Sequence, residues 1–239
     1  MDSTTFWLPK RGNDPDEYED AFAVDPARGR FAIADGASES SFADTWAKLL
    51  VEQYVESPVR WQQRWRDWLP SLQQRWLDKV GSRPLPWYAE SKFEQGAFAT
   101  FLGLLVEPVG RQRWWAVAVG DSCLFQVRED RLLASFPLAV SDDFGTQPSL
   151  LGSRTPVDIV TAERENHCNG ECQPGDRFFL ATDALAHWFL KQHEEKRQPW
   201  HTVLAACQQS ADTFVAWIEA LRDERDIRND DVTLVIIDV

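Results

Sequence analysis

Acidic residues recur in this chain at the ends of apolar runs that are typical of strands. The five places are Glu19-Asp20, Asp35-Gly36, Gly120-Asp121-Ser122, Asp183 and Asp230-Asp231. Any one of them is also typical of an ordinary turn, because Asp and Gly favour turns. Several carboxylates close together stay ionised only if a cation neutralises them, and sites rich in oxygen prefer Mg²⁺ or Mn²⁺. The recurrence in one chain favours a hard-cation site.

A pair of such ions would perform a particular kind of chemistry. Two adjacent divalent ions lower the pKa of a bridging water and polarise a phosphoryl oxygen, so that hydroxide attacks phosphorus in line. This reaction needs no nucleophilic side chain, and the sequence has no G-x-S-x-G motif. The four histidines all lie late in the chain: His167, His187, His193 and His201.

The first apolar runs predict a β-hairpin that would bring three of the acids together. Residues 21–25 and 30–35 alternate as strands, and residues 26–29 between them contain Pro and Gly. Antiparallel pairing places the start of the first strand beside the end of the second. We therefore expect Glu19, Asp20 and Asp35 to converge.

The next segment, from residue 41 to about residue 80, has a helical pattern that is rich in tryptophan. Apolar residues recur there at helical spacing, namely Trp61, Trp65, Trp68, Leu72 and Trp76. Such a stripe favours core packing, and the alternative is a groove that binds a partner. Pro58 and Pro70 predict breaks or kinks.

The remaining pattern predicts strands, then helices, then a closing strand. Strands are expected at residues 97–107, 113–119, 122–129, 131–136, 157–160, 177–181 and 232–239, with a loop-like stretch at 141–155. Helices are expected at residues 184–193, 200–209 and 211–222. This order suits antiparallel sheets with segregated helices and not a parallel α/β sheet. No linker divides the chain, so we expect one domain over residues 1–239.

Composition excludes several classes of partner and location. With 25 basic and 38 acidic residues, the net charge of −13 disfavours binding to nucleic acid or to an anionic membrane. The sequence has no apolar run long enough to span a bilayer, and no secretory signal is visible. Four scattered cysteines, namely Cys123, Cys168, Cys172 and Cys207, predict reduced thiols in a cytoplasm. Residues 167–172 could suggest zinc, but a C-x3-C spacing without a second pair favours an ordinary loop.

The order of the acidic motifs resembles that of the type-2C, metal-dependent serine/threonine protein phosphatases, the PPM family. The matching pieces span residues 19–235: Glu19-Asp20-Ala21-Phe22, Phe31-Ala32-Ile33-Ala34-Asp35-Gly36-Ala37, Ala118-Val119-Gly120-Asp121-Ser122, Phe179-Leu180-Ala181-Thr182-Asp183-Ala184-Leu185 and Asp230-Asp231-Val232-Thr233-Leu234-Val235. The resemblance implies an α+β fold, a four-layer αββα sandwich of two antiparallel sheets flanked by helices. It also implies hydrolysis of phosphoserine and phosphothreonine in a phosphoprotein substrate.

The same resemblance implies roles for individual residues. Asp20, Asp35 and the backbone carbonyl of Gly36 would bind the first metals, and Asp183 and Asp230 would complete a centre of two Mn²⁺ or Mg²⁺ ions. Glu19 would act mainly through water held by the metals. Asp121 corresponds to an acid that helps to form a weaker third metal site in many members of the family.

Several positions depart from the family pattern. Ala37 stands where the family usually has a His that is a proposed general acid, and Ala184 stands where it has a Gly. His187 replaces an Asp of the third metal site, so it could bind the metal or leave that site weak. Pro15 replaces a phosphate-binding Arg, and Lys10 or Arg11 are the candidate substitutes.

Two other functions stay open at this point. The departures motivate a catalytically weak or inactive module that binds a regulatory partner, with the Trp-rich helix as its surface. An aspartyl-nucleophile phosphotransferase would use Asp35, but that chemistry usually needs a second acid where this chain has Ala37. Residues 141–155 correspond to a variable flap near the active site of the family, where substrate choice could reside.

Overall fold

Twelve strands and five helices carry the architecture in the described part of the chain. The computed structural model describes residues 1–58, 65–81, 93–107, 112–145, 147–156, 166–208 and 210–239. The strands are β1 (Asp2–Leu8), β2 (Ala21–Asp25), β3 (Arg30–Ala34), β4 (Phe98–Ala99), β5 (Phe101–Val106), β6 (Arg113–Val119), β7 (Cys123–Arg128), β8 (Arg131–Phe136), β9 (Leu151–Gly152), β10 (Asn166–Glu171), β11 (Arg177–Ala181) and β12 (Val232–Asp238). The helices are α1 (Ala43–Glu56), α2 (Trp65–Val80), α3 (Asp183–Glu194), α4 (Pro199–Cys207) and α5 (Ala211–Asp223).

Two antiparallel sheets of five strands pack face to face. The first sheet has the order β1-β12-β11-β7-β8 and the second has the order β10-β6-β5-β3-β2. Their inner faces share one apolar core, in which Phe31 and Trp114 of the second sheet pack with Phe178 and Val235 of the first. Alternating apolar residues on each strand produce this core, because successive side chains point to opposite faces of a sheet.

Helices cover both outer faces of the two sheets. Trp46 of α1 and Trp76 of α2 pack with the outer face of the second sheet. Phe189 of α3 and Phe214 of α5 pack with the outer face of the first sheet. The expected four-layer αββα arrangement of an α+β fold is therefore confirmed.

The first hairpin has the register that the sequence predicts. Ala21 of β2 lies opposite Ala34 of β3, so the residues just outside this pair, Asp20 and Asp35, leave the sheet side by side. Most other predicted elements also agree within one or two residues, and β8 and β11 agree at both ends. The predicted strand at residues 157–160 lies outside the described ranges.

The tryptophan stripe belongs to the core. Trp68, Leu72 and Trp76 are buried, and the ring of Trp76 stacks on Phe93 at a centroid distance of 5.5 Å. Core packing is confirmed for these residues, and the alternative of a partner-binding groove is wrong for them. Trp61 lies outside the described ranges. Pro58 follows the end of α1, whereas Pro70 lies inside α2 and does not end it.

The local structure differs from the prediction in three places. Strand β1 was not predicted, because three of its seven residues are exposed and its apolar pattern is short. Residues 167–172 were expected as a loop, yet residues 166–171 form β10, an edge strand that pairs with β6. The single strand expected at residues 97–107 divides at Thr100, and the first part, β4, pairs with β9 inside the expected loop at 141–155. No helix within the described ranges is long and apolar enough to cross a membrane.

Candidate metal and phosphoester site

Five aspartates from both sheets come together at one rim of the sandwich. Asp20 and Asp35 flank the hairpin of the second sheet, Asp183 follows β11, and Asp230 precedes β12 of the first sheet. Asp121 lies in the turn that joins β6 to β7. The pKa of Asp35 is raised well above its usual value, first by burial and then by the charges of the other four. The acids predicted at separate strand ends therefore repel one another at close range.

Asp20 is held by a chain of hydroxyl groups. It is 1% exposed, and its Oδ2 accepts a hydrogen bond from Thr233 Oγ1 at 2.6 Å. The hydroxyl of Tyr18 bonds to Thr233 Oγ1 in turn, and the backbone N–H of Thr233 donates to Thr182 Oγ1 at 2.9 Å. Asp20 Oδ1 is buried and has no hydrogen-bond partner among the described residues. Burial, more than any neighbouring charge, raises the pKa of Asp20.

Asp183 is the first residue of α3, and Thr182 alone separates it from strand β11. A helix N-terminus stabilises a carboxylate, yet burial and the charge of Asp230 raise the pKa of Asp183. Its Oδ2 forms an ion pair with Nη2 of Arg228 at 3.3 Å. Its Oδ1 is buried without a hydrogen-bond partner in the described part of the chain.

Asp121 occupies a tight turn that Gly120 makes possible. Gly120 has a φ of +102°, and a Cβ there would lie 2.7 Å from the side chain of Thr100. Asp121 is 6% exposed, and burial followed by the charge of Asp183 raises its pKa to about 6. Its Oδ1 is also buried with no hydrogen-bond partner in the described ranges.

Asp35 and Gly36 follow the last residue of β3. Two hydrogen bonds join Asp35 to Thr100. The backbone N–H of Asp35 donates to Thr100 Oγ1 at 3.2 Å, and the backbone N–H of Thr100 donates to the carbonyl oxygen of Asp35 at 2.8 Å. A Cβ on Gly36 would lie 2.5 Å from the carbonyl oxygen of Glu19. Only a glycine therefore allows this close approach of the two loops.

The two acids before β12 have different environments. The carboxylate of Asp231 is buried and accepts two backbone N–H groups, from Lys10 and from Glu19, both at 2.7 Å. Asp230 is partly exposed, and its Oδ1 accepts only the N–H of Asp231 at 3.0 Å. Asp231 thus fixes the loop that carries Glu19, whereas Asp230 keeps an oxygen toward the acidic cluster.

Of the two expected substitutes for the phosphate-binding Arg, one lies at the site. Lys10 Nζ lies 3.3 Å from Glu19 Oε2 and donates to Ser38 Oγ at 2.8 Å. Arg11 instead pairs with Glu219 and Asp223 of α5. Glu19 therefore faces a lysine, and Arg11 is held away from the acids.

His187 lies one turn after Asp183 on α3. Its ring meets Phe144 edge-on at a centroid distance of 5.4 Å, which connects α3 with the segment around Phe144. Burial, followed by the charge of Arg228, lowers the pKa of His187. The same segment is anchored at Ser141, which donates twice to Glu194 of α3 at 2.6 Å.

The donor set fits a hard divalent cation, although the acids are not arranged around one point. In the part of the chain that the structure describes, no three His, Cys, Asp or Glu side chains form a group that could hold a metal ion as they stand. Three buried carboxylate oxygens without partners nevertheless point to a missing positive charge, because buried polar atoms are normally satisfied. They belong to Asp20, Asp121 and Asp183.

Two residues that contact these acids, Thr233 and Arg228, and Tyr18, which bonds to Thr233, are not identified as site residues by the sequence patterns. A signal existed for Thr233, because a polar residue in an otherwise buried apolar strand needs a hydrogen-bond partner. Tyr18 and Arg228 carry no such signal, since their contacts depend on how distant loops meet.

Comparisons with known proteins agree with this architecture. No protein-family model and no curated protein matches the sequence. Among solved structures, the serine/threonine phosphatase PstP/Ppp of Mycobacterium tuberculosis superposes with a TM-score of 0.61 at 17% identity, covering 100% of this chain and 98% of that one. The PPM Ser-Thr phosphatase MsPP of Mycobacterium smegmatis, in complex with cacodylate, gives a TM-score of 0.56 at 17% identity, covering 100% and 98%.

A third similar structure contains metal. The catalytic domain of the serine/threonine protein phosphatase PstP, in complex with two manganese ions, has a TM-score of 0.59 at 17% identity and covers 99% of this chain and 97% of that one. Identities this low show the fold and not the activity. Over its whole length, the chain has the fold of the PPM serine/threonine phosphatases.

Proposed function

We propose that this chain is a metal-dependent phosphatase that hydrolyses phosphoserine and phosphothreonine in cytoplasmic phosphoproteins, acting as a single domain over residues 1–239. The observation that carries the proposal is the set of three buried carboxylate oxygens without partners in one acidic cluster. Buried like charges are costly unless a cation neutralises them. The shared fold with PPM phosphatases, one of them solved with two manganese ions, supports the same conclusion.

In this proposal, Asp20, Asp35, Asp183 and Asp230, with the carbonyl of Gly36, hold two Mn²⁺ or Mg²⁺ ions. When bound, the ions supply Lewis acidity that activates water and polarises the phosphoryl group. Asp121 provides a ligand for a weaker third ion.

The chain's own residues keep these ligands in place. Thr233 orients Asp20 by donating to Oδ2, so that Oδ1 is left for a cation. Asp231 fixes the Glu19 loop by accepting the N–H of Glu19 at 2.7 Å. Lys10 holds the carboxylate of Glu19 beside Ser38 at the edge of the cluster.

The test is hydrolysis of p-nitrophenyl phosphate and of a phosphothreonine peptide with Mn²⁺, with and without EDTA. We expect activity that EDTA abolishes, and a loss of at least about a hundredfold in Asp35→Asn and Asp183→Asn with an unchanged circular dichroism spectrum. The matched control is Asp238→Asn, because Asp238 is an exposed acid at the far end of β12. No turnover of either substrate by the wild type, or full activity in both variants, would refute the proposal.

A second candidate is a non-catalytic module with the same fold that binds a regulatory partner. The observation that favours it is the ion pair of Arg228 with Asp183, together with the lack of a ready metal group among the described residues. This candidate predicts no hydrolysis of either substrate even when Mn²⁺ binding is measurable by calorimetry. Metal-stimulated turnover would exclude it.

A further inference from the structure

The Asp183–Arg228 pair places a guanidinium group on one of the acids that we propose as metal ligands. Arg228 Nη2 lies 3.3 Å from Asp183 Oδ2. The side chain of Asp183 is 11% exposed and that of Arg228 is 56% exposed, so a buried acid is neutralised from outside by a solvated arginine. The charge of Arg228 also opposes the rise in the pKa of Asp121 and, after burial, contributes to the lowered pKa of His187.

Other cations near the site have fixed partners. Lys10 lies between Glu19 and Ser38. Arg222 is buried and donates to Glu219 and to the carbonyl of Asp230. Arg11 is held by two acids of α5. In the described ranges, Arg228 alone combines high exposure with an ion pair to an acid of the cluster.

We infer that Arg228 exchanges partners: it neutralises Asp183 in the metal-free protein, and it binds the phosphate of the substrate once a divalent cation occupies Asp183. The inference rests on the proposed function. The guanidinium of Arg228 is solvated and carries a single charge, so a divalent cation, which attracts the buried Asp183 carboxylate more strongly, displaces it. The freed guanidinium then lies at the rim of the acidic cluster, where its planar donors match the oxygens of a phosphate monoester.

This exchange links the two binding events. A cation at Asp183 removes the competing carboxylate from Arg228, and the phosphate then meets a guanidinium that has no other described partner. Metal therefore increases the affinity for phosphate, and phosphate increases the affinity for metal by the same factor.

The first measurement is thermal unfolding of the full chain in EDTA and in saturating Mn²⁺, for wild type, Arg228→Gln and Arg177→Gln. Arg177 is the matched control, because it forms an ion pair with Asp238 at 2.5 Å and begins β11 at the end opposite Asp183. We expect the melting temperature of Arg228→Gln to be lower than that of wild type in EDTA and equal to it in Mn²⁺. Arg177→Gln should show the same difference from wild type in both buffers.

The second measurement is calorimetry with Mn²⁺, then with inorganic phosphate as the probe on the Mn²⁺-loaded protein. Arg228→Gln should bind Mn²⁺ up to about fivefold tighter, because the competing ion pair is gone. It should bind phosphate about tenfold more weakly, because a charged hydrogen bond is lost. Arg228→Lys should retain part of the phosphate affinity, and Arg177→Gln should match wild type.

Two results overturn the inference alone. One is a melting-temperature difference between Arg228→Gln and wild type that is equal in EDTA and in Mn²⁺. The other is an equal phosphate affinity of wild type and Arg228→Gln when both bind Mn²⁺. A wild type that binds no Mn²⁺ refutes the proposed function, and the inference with it.

Discussion

Thr233 Oγ1 donates to Asp20 Oδ2 at 2.6 Å, which joins the last strand of the first sheet to the loop that begins the hairpin of the second. The bond uses one carboxylate oxygen and leaves the other buried and without a partner in the described chain. Tyr18 bonds to the same hydroxyl group. Thr233 therefore helps to orient a candidate metal ligand at the junction of the two sheets.

Replacing Thr233 with valine tests this relationship, since valine has the same shape without the hydroxyl. We expect a loss of about 1–3 kcal/mol in the free energy of unfolding, because Asp20 loses its donor and Tyr18 its partner in a buried place. Mn²⁺ affinity should fall about tenfold, since Asp20 is then free to turn. Thr233→Ser restores the hydroxyl and should behave nearly as wild type. Urea unfolding and calorimetry give both values, and equal results for the two variants would contradict the assignment.

Asp230 and Asp231 should separate in their effects, although they are neighbours in sequence. Asp231→Asn replaces an acceptor of a backbone N–H with a donor, so we expect a loss of about 1–3 kcal/mol of stability in EDTA. Asp230→Asn should keep stability and lose Mn²⁺ affinity, because the partly exposed Asp230 serves the acidic cluster. Chemical unfolding and Mn²⁺ calorimetry of both variants check this. Similar profiles for the two would refute the division of roles.

The sequence predicts the strands and the acidic residues of the site better than it predicts the side-chain contacts of those acids. Strands such as β8 and β11 are visible in sequence because apolar periodicity reports burial directly. The edge strand β10 contains almost no apolar residue, so its sequence has no periodicity that would indicate a strand. Its backbone pairing with β6 holds it in place instead. The convergence of Asp20 and Asp35 follows from a local hairpin.

Contacts between residues that are far apart in sequence cannot be predicted from local periodicity. Thr233 and Asp20 are 213 residues apart, and the pair depends on the position of one sheet on the other. Arg228 could be recognised as a charged loop residue but not as the partner of Asp183. Periodicity specifies which face of an element is buried, whereas these contacts depend on the tertiary packing of loops that it does not describe.

Asp121 predicts a pH dependence of stability in the metal-free protein. Its pKa rises from an ordinary 3.8 to about 6 on folding, so the folded state favours the protonated form. Its contribution to stability is therefore present below about pH 4 and is lost as pH rises through about 6. We expect the free energy of unfolding of Asp121→Asn in EDTA to exceed that of wild type by about 3 kcal/mol at pH 7.5 and to approach it near pH 4.

The measurement for Asp121 is urea unfolding of both proteins from pH 4 to pH 8 in EDTA. Comparing the two proteins isolates Asp121 from carboxylates with lowered pKa, such as Asp176, whose pKa is held down by Arg128 and by neighbouring amide groups and whose effect has the opposite sign. A stability difference that stays constant across this range would show that Asp121 titrates normally.

Gly36 provides a test of geometry that is independent of charge. A Cβ at this position would meet the carbonyl oxygen of Glu19 at 2.5 Å and Cβ of Ala43 at 3.0 Å, so Gly36→Ala must push apart the two loops that carry the acids. We expect a loss of about 1–3 kcal/mol in the free energy of unfolding. The free energy of Mn²⁺ binding should fall by a larger fraction, because the displaced backbone belongs to the site itself. Gly145→Ala is the control, since a Cβ there has its nearest neighbour at 3.9 Å and should change stability by less than about 0.5 kcal/mol. Wild-type stability and metal affinity in Gly36→Ala would mean that the two loops do not approach each other this closely, and the carbonyl of Gly36 would then lose its place in the proposed centre.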